Sequence, residues 1–257
     1  MGGPEGRIEW LCYADGIENI PEPLPAQKCL PEWYKEMPFS LDDTDAGDYD
    51  GLTVRSCMAV LDAMTMGWIL RAPFDIDLTI TRSNGGFDID IDRSDIPEWP
   101  NQLAKHPIEQ LGGSHPEMPL PILKFITPWV CRAPEGVSSL ITSPFNQHDR
   151  RFEAFSGVVD HDHYFGLNNV PSLWTELPYN GVIEQGTPLA QVIPFTRDGI
   201  VTEATVREMD ADERRKRDEQ AEQLIPDESH YRQENGFRKA VRETTHHDAG
   251  DVDAERR

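Results

Sequence analysis

Residues 75–91, DIDLTITRSNGGFDIDI, decide the fold class of this chain. Ile76, Leu78 and Ile80 alternate with polar residues, and the same alternation resumes in residues 87–91 after Asn84-Gly85-Gly86. A period of two residues is that of a β-strand with one buried face, and an Asn-Gly pair between two such runs is typical of a tight turn. The stretch therefore predicts a β-hairpin with one solvent-exposed, acidic face.

Further short strand patterns lie on both sides of this hairpin, separated by proline and glycine. They are predicted at residues 8–13, 123–126, 138–142, 155–159, 164–167, 181–184 and 189–195. The segment 96–121 is rich in proline and glycine and predicts a long irregular loop. Short strands at this spacing are typical of sandwiches, barrels and β-clips. We therefore expect a mainly β fold, a β-sandwich or β-clip-like domain, over residues 6–206.

The sequence changes character after this domain. Residues 212–219, DERRKRDE, combine acidic and basic side chains at spacings that stabilise a solvated helix, and a second helical pattern covers 228–243. Beyond residue 244 the chain is polar and poor in apolar side chains. We expect a C-terminal α-helical extension over residues 207–243 and a disordered acidic tail over 244–257.

The charge balance restricts the partners and the setting of the protein. Lys and Arg number 24 against 46 Asp and Glu, which gives a net charge of -22. Such a surface is typical of a halophilic protein, because at about 1 M salt a screening length of about 3 Å suppresses the repulsion between carboxylates. An acidic protein from an ordinary cytoplasm is the alternative. Nucleic acid is disfavoured as a partner, since the chain has no stripe of basic residues.

The sequence shows no sign of export or membrane insertion. It lacks a basic region followed by an apolar run near residue 1, and no stretch approaches the roughly 20 apolar residues that cross a bilayer. We expect no membrane partner and a location in a high-salt cytosol. Cys12, Cys29, Cys57 and Cys131 are far apart, which disfavours a zinc knuckle or a redox pair and favours small buried thiols.

A dense run of imidazoles and carboxylates suggests a metal site. On a strand, His161 and His163 would point to the same face. With His148 or His106 they would form a three-ligand site with an open position, suited to Zn²⁺ or Fe²⁺. The alternative is a chance cluster, because aspartate is abundant throughout the chain.

Several segments together resemble one family of proteins. They are IPEP at 20–23, PEWYK at 31–35, LDAMTMGW at 61–68, PW at 128–129, GVVD at 157–160 and GTPLAQVIPF at 186–195. In order and spacing they are similar to a family without assigned activity that occurs in tailed phages, bacteria and haloarchaea. The resemblance implies a β-rich fold, a viral or proviral origin and an association with virions.

A local resemblance points to nucleotide chemistry. GVVDHDHYFG at 157–166 resembles the nucleoside loop of dUTPases and dCTP deaminases with one residue inserted, and GTPLAQ at 186–191 resembles their phosphate-side strand. The resemblance implies that Asp160 or Asp162 orients the sugar and activates water, with Mg²⁺ clamping the phosphates. It also implies that Tyr164 packs against the sugar.

The same resemblance extends to two further residues and has clear departures. Gln191 would contact phosphate, and Asn146 of the segment PFN at 144–146 stands in the ligand-binding serine motif, which reads P-R-S in that family. The early motif with its aspartate is not recognisable. The inserted residue would also misplace Asp162 relative to Tyr164.

Three functional hypotheses follow from these patterns. The first is a non-catalytic binding or structural protein of viral or proviral origin, which assembles with further copies of itself or with a virion or other protein partner. The second is a divergent dUTPase-like nucleotide hydrolase or binder. The third is a metal-dependent enzyme built on the histidine and aspartate cluster. The arrangement of the side chains in space discriminates among them.

Overall fold

The structure is a computed structural model of the chain. It describes residues 6–15, 17–41, 52–83, 86–92, 103–106, 120–147, 149 and 151–224. The second predicted C-terminal helix and the predicted tail lie outside these residues. The chain divides into two compact units, one formed by Met1–Lys35 with Met64–Ile200 and the other by Glu36–Ala63 with Val201–Arg257.

The described elements are predominantly strands. In chain order the strands are β1 (Glu9–Cys12), β2 (Leu24–Pro25), β3 (Trp68–Arg71), β4 (Ile76–Ser83), β5 (Gly86–Ile91), β6 (Leu103–His106), β7 (Ile122–Arg132), β8 (Val137–Thr142), β9 (Phe152–Ala154), β10 (Gly157–Val159), β11 (Leu167–Trp174), β12 (Tyr179–Ile183) and β13 (Pro188–Thr196). The helices are α1 (Glu32–Glu36), α2 (Met58–Thr65) and α3 (Ala211–Leu224). The prediction of a mainly β fold with a C-terminal helix is confirmed.

The predicted hairpin is present as β4 and β5. The strands pair antiparallel with Leu78 opposite Ile91 and Ile80 opposite Ile89, and β12 pairs with the other side of β4. Ile76, Leu78 and Ile80 are fully buried, whereas Asp77 between them faces solvent and Thr79 is half-buried. The period of two residues in the sequence therefore corresponds to one core face and one acidic face.

Two larger antiparallel sheets complete the first unit. One has the order β1-β7-β11-β9, with β6 also paired to β7, and the other has the order β10-β8-β13-β3-β2. Side chains from all three sheets meet in one core, which includes Phe125, Trp129, Trp174 and Val192. Burial of these large apolar side chains supplies the main stabilising free energy of the unit.

One glycine permits a close approach between two strands of the second large sheet. Gly67 precedes β3 with φ of +68°, and a Cβ atom at this position would overlap the carbonyl oxygen of Val192 in β13. Only glycine combines this backbone conformation with this contact. The glycine therefore fixes how β3 enters the sheet.

Three of the predicted boundaries are corrected by the structure. Of the segment 155–159, predicted as one strand, only residues 157–159 form β10, and residues 155–156 lie between β9 and β10. Residues 164–166 were predicted as strand but belong to a turn, which is closed by a hydrogen bond of 2.7 Å from Tyr164 N to Asp160 O. The predicted loop 96–121 contains β6, which pairs with β7.

The second unit contains the predicted charge-laced helix as α3. Its first turn forms a reciprocal capping box, in which Glu213 N donates to Asp210 Oδ1 at 2.9 Å and Asp210 N donates to Glu213 Oε2 at 3.0 Å. The predicted extension 207–243 and the domain boundary at residue 206 remain predictions. Among the described helices, none combines the length and the apolar character that a membrane span requires.

Candidate functional site

The candidate site is built on the turn Asp160–Gly166. This turn joins β10, at the edge of one large sheet, to β11 in the other. It holds five of the predicted site residues, namely Asp160, His161, Asp162, His163 and Tyr164. The structure shows that these neighbours in sequence have very different surroundings.

Asp162 is committed to an internal ion pair. Its side chain is only 3% exposed and accepts hydrogen bonds from Gly136 N at 2.9 Å, from Arg197 Nη1 at 3.0 Å and from Arg197 Nη2. The Arg197 guanidinium holds the pKa of the Asp162 carboxyl well below its usual range, and the Gly136 N–H acts in the same direction. Asp162 is therefore a buried structural anion, and water has little access to it as a base.

Arg197 connects the end of β13 to the turn. Its backbone N donates to Gly136 O at 2.9 Å, and its Nη1 donates to Ser138 Oγ at 3.0 Å. The carboxylate of Asp162 raises the pKa of Arg197, so the guanidinium stays charged. Neither Arg197 nor Ser138 carried a signal in the sequence, because each is linked to the turn only by long-range contacts.

Asp160 is the carboxylate of the turn that opens to solvent. Its Oδ1 accepts from Ser138 Oγ at 2.6 Å and lies 3.6 Å from Arg197 Nη1. The side chain is nevertheless 58% exposed. Asp160 can therefore interact with a ligand while Ser138 holds it in place.

His161 is part of a buried hydrogen-bond network. Its Nδ1 lies 3.0 Å from Ser139 Oγ and its Nε2 lies 3.1 Å from Asn168 Oδ1, while Asn168 Nδ2 donates to Trp129 O at 2.9 Å. Because Asn168 Oδ1 can only accept, the proton of the neutral ring sits on Nε2, and Nδ1 accepts from Ser139. Burial lowers the pKa of His161, which favours this neutral form.

The predicted histidine site is therefore not assembled by the described residues. His161 and His163 lie in the turn and not on one strand face, and His163 is 75% exposed while His161 is buried with both ring nitrogens in use. His148 lies outside the described residues, as does the side chain of His106. Within the described part of the chain, no group of three or more His, Cys, Asp or Glu side chains is arranged to hold a metal ion. A Zn²⁺ or Fe²⁺ site at this position therefore stays a prediction, with His148 or His106 as the further ligand.

The structure places Gln191 next to the segment that holds Asn146, and neither residue lines the pocket beside the turn. Gln191 is fully buried in β13, where its Oε1 accepts from Phe145 N at 2.9 Å and its Nε2 donates to Met66 O at 2.7 Å. Asn146 has φ of +57°, and its carbonyl accepts from Trp33 Nε1 at 3.1 Å. The Gln191 amide thus holds the chain that follows β8, and its predicted contact with phosphate remains untested.

Tyr164 and Asp160 line one open pocket beside the turn. The turn pocket has a volume of about 530 Å³. It is lined by Ile141, Val158, Val159, Asp160, His163, Tyr164, Leu167, Asn168 and Asn169. The Tyr164 ring lies over Gly166, where any Cβ atom would overlap the phenol. The pocket combines apolar walls with the exposed carboxylate of Asp160, the phenol of Tyr164 and the exposed imidazole of His163, which is a chemistry suited to binding.

Comparison with known proteins gives only a weak structural likeness. No family model and no curated protein matches the chain. Among solved structures, the dUTPase of EIAV is similar at 12% identity and a TM-score of 0.30, covering 56% of this chain and 85% of the other. A dUTPase mutant of S. aureus phage phi11, described with a structural Mg(II) ion, gives 12% identity and a TM-score of 0.34, covering 80% and 98%.

A third solved structure gives the same level of similarity. It is a dUTPase mutant of Staphylococcus bacteriophage 80alpha with dUpNHpp, at 12% identity and a TM-score of 0.34, covering 80% of this chain and 89% of the other. At these TM-scores the likeness carries no weight for fold or function. The function of the chain has to be inferred from the geometry of its own residues.

Proposed function

We propose that this chain is a non-catalytic binding protein whose ligand occupies the turn pocket. The observation that carries the proposal is the contrast between neighbouring residues of the turn. Asp162 and His161 are buried and satisfied by internal partners, whereas Asp160 and Tyr164 open to the pocket. The two buried residues fix the shape of the turn, and their polar atoms are already used in internal hydrogen bonds. The two open residues are thereby held in place as a binding surface.

The electrostatics of the pocket favour binding over phosphate chemistry. Arg197, whose Nη1 lies 3.6 Å from Asp160 Oδ1, is committed mainly to Asp162. The described residues that line the pocket include no Lys or Arg. Phosphoryl chemistry depends on cations that neutralise the developing negative charge, so these residues alone do not provide for it.

The setting proposed for the protein rests on its sequence. The net charge of -22 supports a halophilic protein of a high-salt cytosol. The resemblance to the phage, bacterial and haloarchaeal family supports a viral or proviral origin, with a further copy of the chain or a virion or other protein as partner.

A nucleotide binder or hydrolase is the second candidate, and one observation favours it. Asp160 and Tyr164 line the same pocket, as the resemblance to the nucleoside loop implies. Asp160 is the exposed carboxylate of that pocket and could share Mg²⁺ with the phosphates of a ligand, which suits the preference of Mg²⁺ for few protein ligands. When bound, Mg²⁺ would neutralise phosphate charge, while Tyr164 would pack against the sugar.

Thermal unfolding in multimolar KCl tests both candidates in one experiment. The wild-type chain is screened with deoxyuridine, with dUTP and dCTP plus Mg²⁺, and with short basic, neutral and acidic peptides. Each sample is also analysed for hydrolysis products. A ligand that binds only the folded state raises its stability, by about 2.7 kcal/mol at a concentration 100 times its dissociation constant.

The matched variants are Asp160→Asn in the turn and Asp88→Asn in the hairpin, which change the net charge equally. We expect at least one ligand class to raise the unfolding temperature, to lose this effect in Asp160→Asn, to keep it in Asp88→Asn and to remain chemically intact. Hydrolysis of dUTP or dCTP that disappears in Asp160→Asn would replace the proposal by the second candidate. A cooperatively unfolding protein stabilised by none of these ligands would overturn both.

A further inference from the structure

The turn pocket carries an uncompensated negative charge. Two carboxylates, Asp160 and Asp162, face the one guanidinium of Arg197. Arg197 donates to both oxygens of Asp162 but lies 3.6 Å from Asp160 Oδ1. The guanidinium is therefore satisfied mainly by the buried partner, and most of the charge of Asp160 is left to face the pocket.

The geometry of Asp160 leaves one side of its carboxylate available. Within the described part of the chain, the hydrogen bond of Asp160 with Ser138 Oγ and its ion pair with Arg197 Nη1 are both made by Oδ1. The Ser138 hydrogen bond of 2.6 Å fixes the orientation of the carboxylate, so Oδ2 is presented without a large loss of side-chain entropy on binding. A cationic donor is the natural complement of such an oxygen.

Exposed apolar side chains lie in the pocket and next to it in the sequence. Val158 and Tyr164, which line the pocket, are 61% and 46% exposed, and Phe165, the neighbour of Tyr164 in the turn, is 67% exposed. Exposed aromatic and aliphatic side chains grouped beside a polar centre are typical of surfaces that bind other proteins. Aromatic faces also attract ammonium and guanidinium groups through their quadrupole.

We infer that the pocket takes a basic side chain, arginine or lysine, which a protein partner presents between apolar residues. This inference rests on the proposed binding function and names its ligand. The carboxylate of Asp160 pairs with the cation, the ring of Tyr164 packs against it, and Val158 and Phe165 contact the flanking apolar residues. The net charge of -22 attracts such a partner and repels an acidic one.

Titration of short peptides tests this inference. The probes are capped tripeptides of the sequence Leu-X-Leu, with arginine, glutamine or glutamate in the middle. They are titrated calorimetrically in about 1 M KCl. At this salt concentration the screening length is about 3 Å, so only charges in direct contact attract each other strongly. We expect the arginine peptide to bind about fivefold more tightly than the glutamine peptide, as for a single exposed ion pair. The glutamate peptide should bind more weakly than both.

Three variants assign the effect to the pocket. Asp160→Asn keeps an oxygen that accepts from Ser138 and removes the charge, so it should abolish the preference for arginine and leave the glutamine peptide unaffected. Tyr164→Leu should lower the affinity for the arginine peptide about threefold, because the cation–π contact is lost. Asp88→Asn, with the same change in net charge but located on the hairpin, should change neither affinity.

The outcomes separate this inference from the proposed function. Equal affinity for the arginine and glutamine peptides, or a preference for arginine that persists in Asp160→Asn, would overturn the inference and leave binding at the pocket intact. Failure of every peptide to bind would overturn it as well. The proposed function would fail as well if the nucleoside and the nucleotides also left the unfolding temperature unchanged.

Discussion

The acidic hairpin β4–β5 and the turn Asp160–Gly166 both contain several aspartates, but the aspartates have opposite surroundings in the two regions. In the hairpin, Asp88 and Asp90 lie opposite Thr81 and Thr79 on the solvent face. Among the described residues these two aspartates take part in no ion pair. In the turn, Asp162 is enclosed by Arg197 and the Gly136 N–H.

This difference shows that the number of carboxylates does not indicate their role. An exposed aspartate in a strand contributes mainly to the hydration and net charge of the surface. A buried one is tolerated only where charged and hydrogen-bonding partners replace the water that it loses. The partners of each carboxylate therefore distinguish the structural Asp162 from the accessible Asp160 and from the solvating aspartates of the hairpin.

The largest expected difference between the two regions is in stability. Asp162→Asn should lower the free energy of unfolding by about 2 to 3 kcal/mol, since it removes charge-assisted hydrogen bonds and leaves Arg197 with an incomplete set of acceptors. Asp88→Asn should change it by less than about 0.5 kcal/mol. Urea unfolding at fixed KCl concentration measures both, and equal losses would show that the ion pair of the turn adds nothing beyond a surface charge.

The second expected difference is in the response to acid. Because the pKa of Asp162 is lowered by folding, its contribution to stability is present above the unfolded pKa of about 3.9 and is lost as the pH falls toward the folded pKa. The stability gap between the wild type and Asp162→Asn should therefore narrow as the pH is lowered from about 5 to 2. Urea unfolding of both proteins across this range measures the gap. A constant gap would mean that the variant acts through lost packing and not through lost charge.

The fold was largely predictable from the sequence because its signals are local. The alternation of Ile76, Leu78 and Ile80 with aspartate and threonine depends only on neighbouring residues, and it predicted both the hairpin and its buried face. The charge pattern of residues 212–219 predicted α3 for the same reason. Periodicity is sufficient where one face of an element meets the core and the other meets water.

The candidate site was predictable only in part. The motif at 157–166 placed Asp160 and Tyr164 beside each other, and the structure brings both to one pocket. The partner of Asp162 could not be foreseen, since Arg197 lies 35 residues away in the sequence. The surroundings of the histidines could not be foreseen either, because His161 pairs with Ser139, 22 residues away in the sequence, and no local pattern reveals this contact.

Two glycine substitutions, one in the turn and one in the hairpin, test the steric difference between the two regions. A Cβ atom at Gly166 would overlap the flexible end of the Tyr164 side chain, whereas a Cβ atom at Gly86 in the hairpin would meet nothing within 4 Å. Gly166→Ala should displace the Tyr164 ring and lower the affinity for the arginine tripeptide about threefold, as loss of a cation–π contact would. Gly86→Ala should leave that affinity unchanged. Calorimetric titration measures both, and equal affinities would mean that Tyr164 does not contact the ligand.

The smallest expected effect concerns the hairpin and salt. Asp88 and Asp90 share the exposed face of β5, so replacing both with Asn should relieve repulsion and raise stability by a few tenths of a kcal/mol in dilute KCl. The gain should vanish above about 1 M KCl, where charges on the surface are screened within about 3 Å. The loss caused by Asp162→Asn should persist there, because a buried pair is screened much less. Urea unfolding across a KCl series measures the stability of both variants. If the loss of stability in Asp162→Asn disappeared at high salt, Asp162 would behave as an exposed surface charge, like the aspartates of the hairpin.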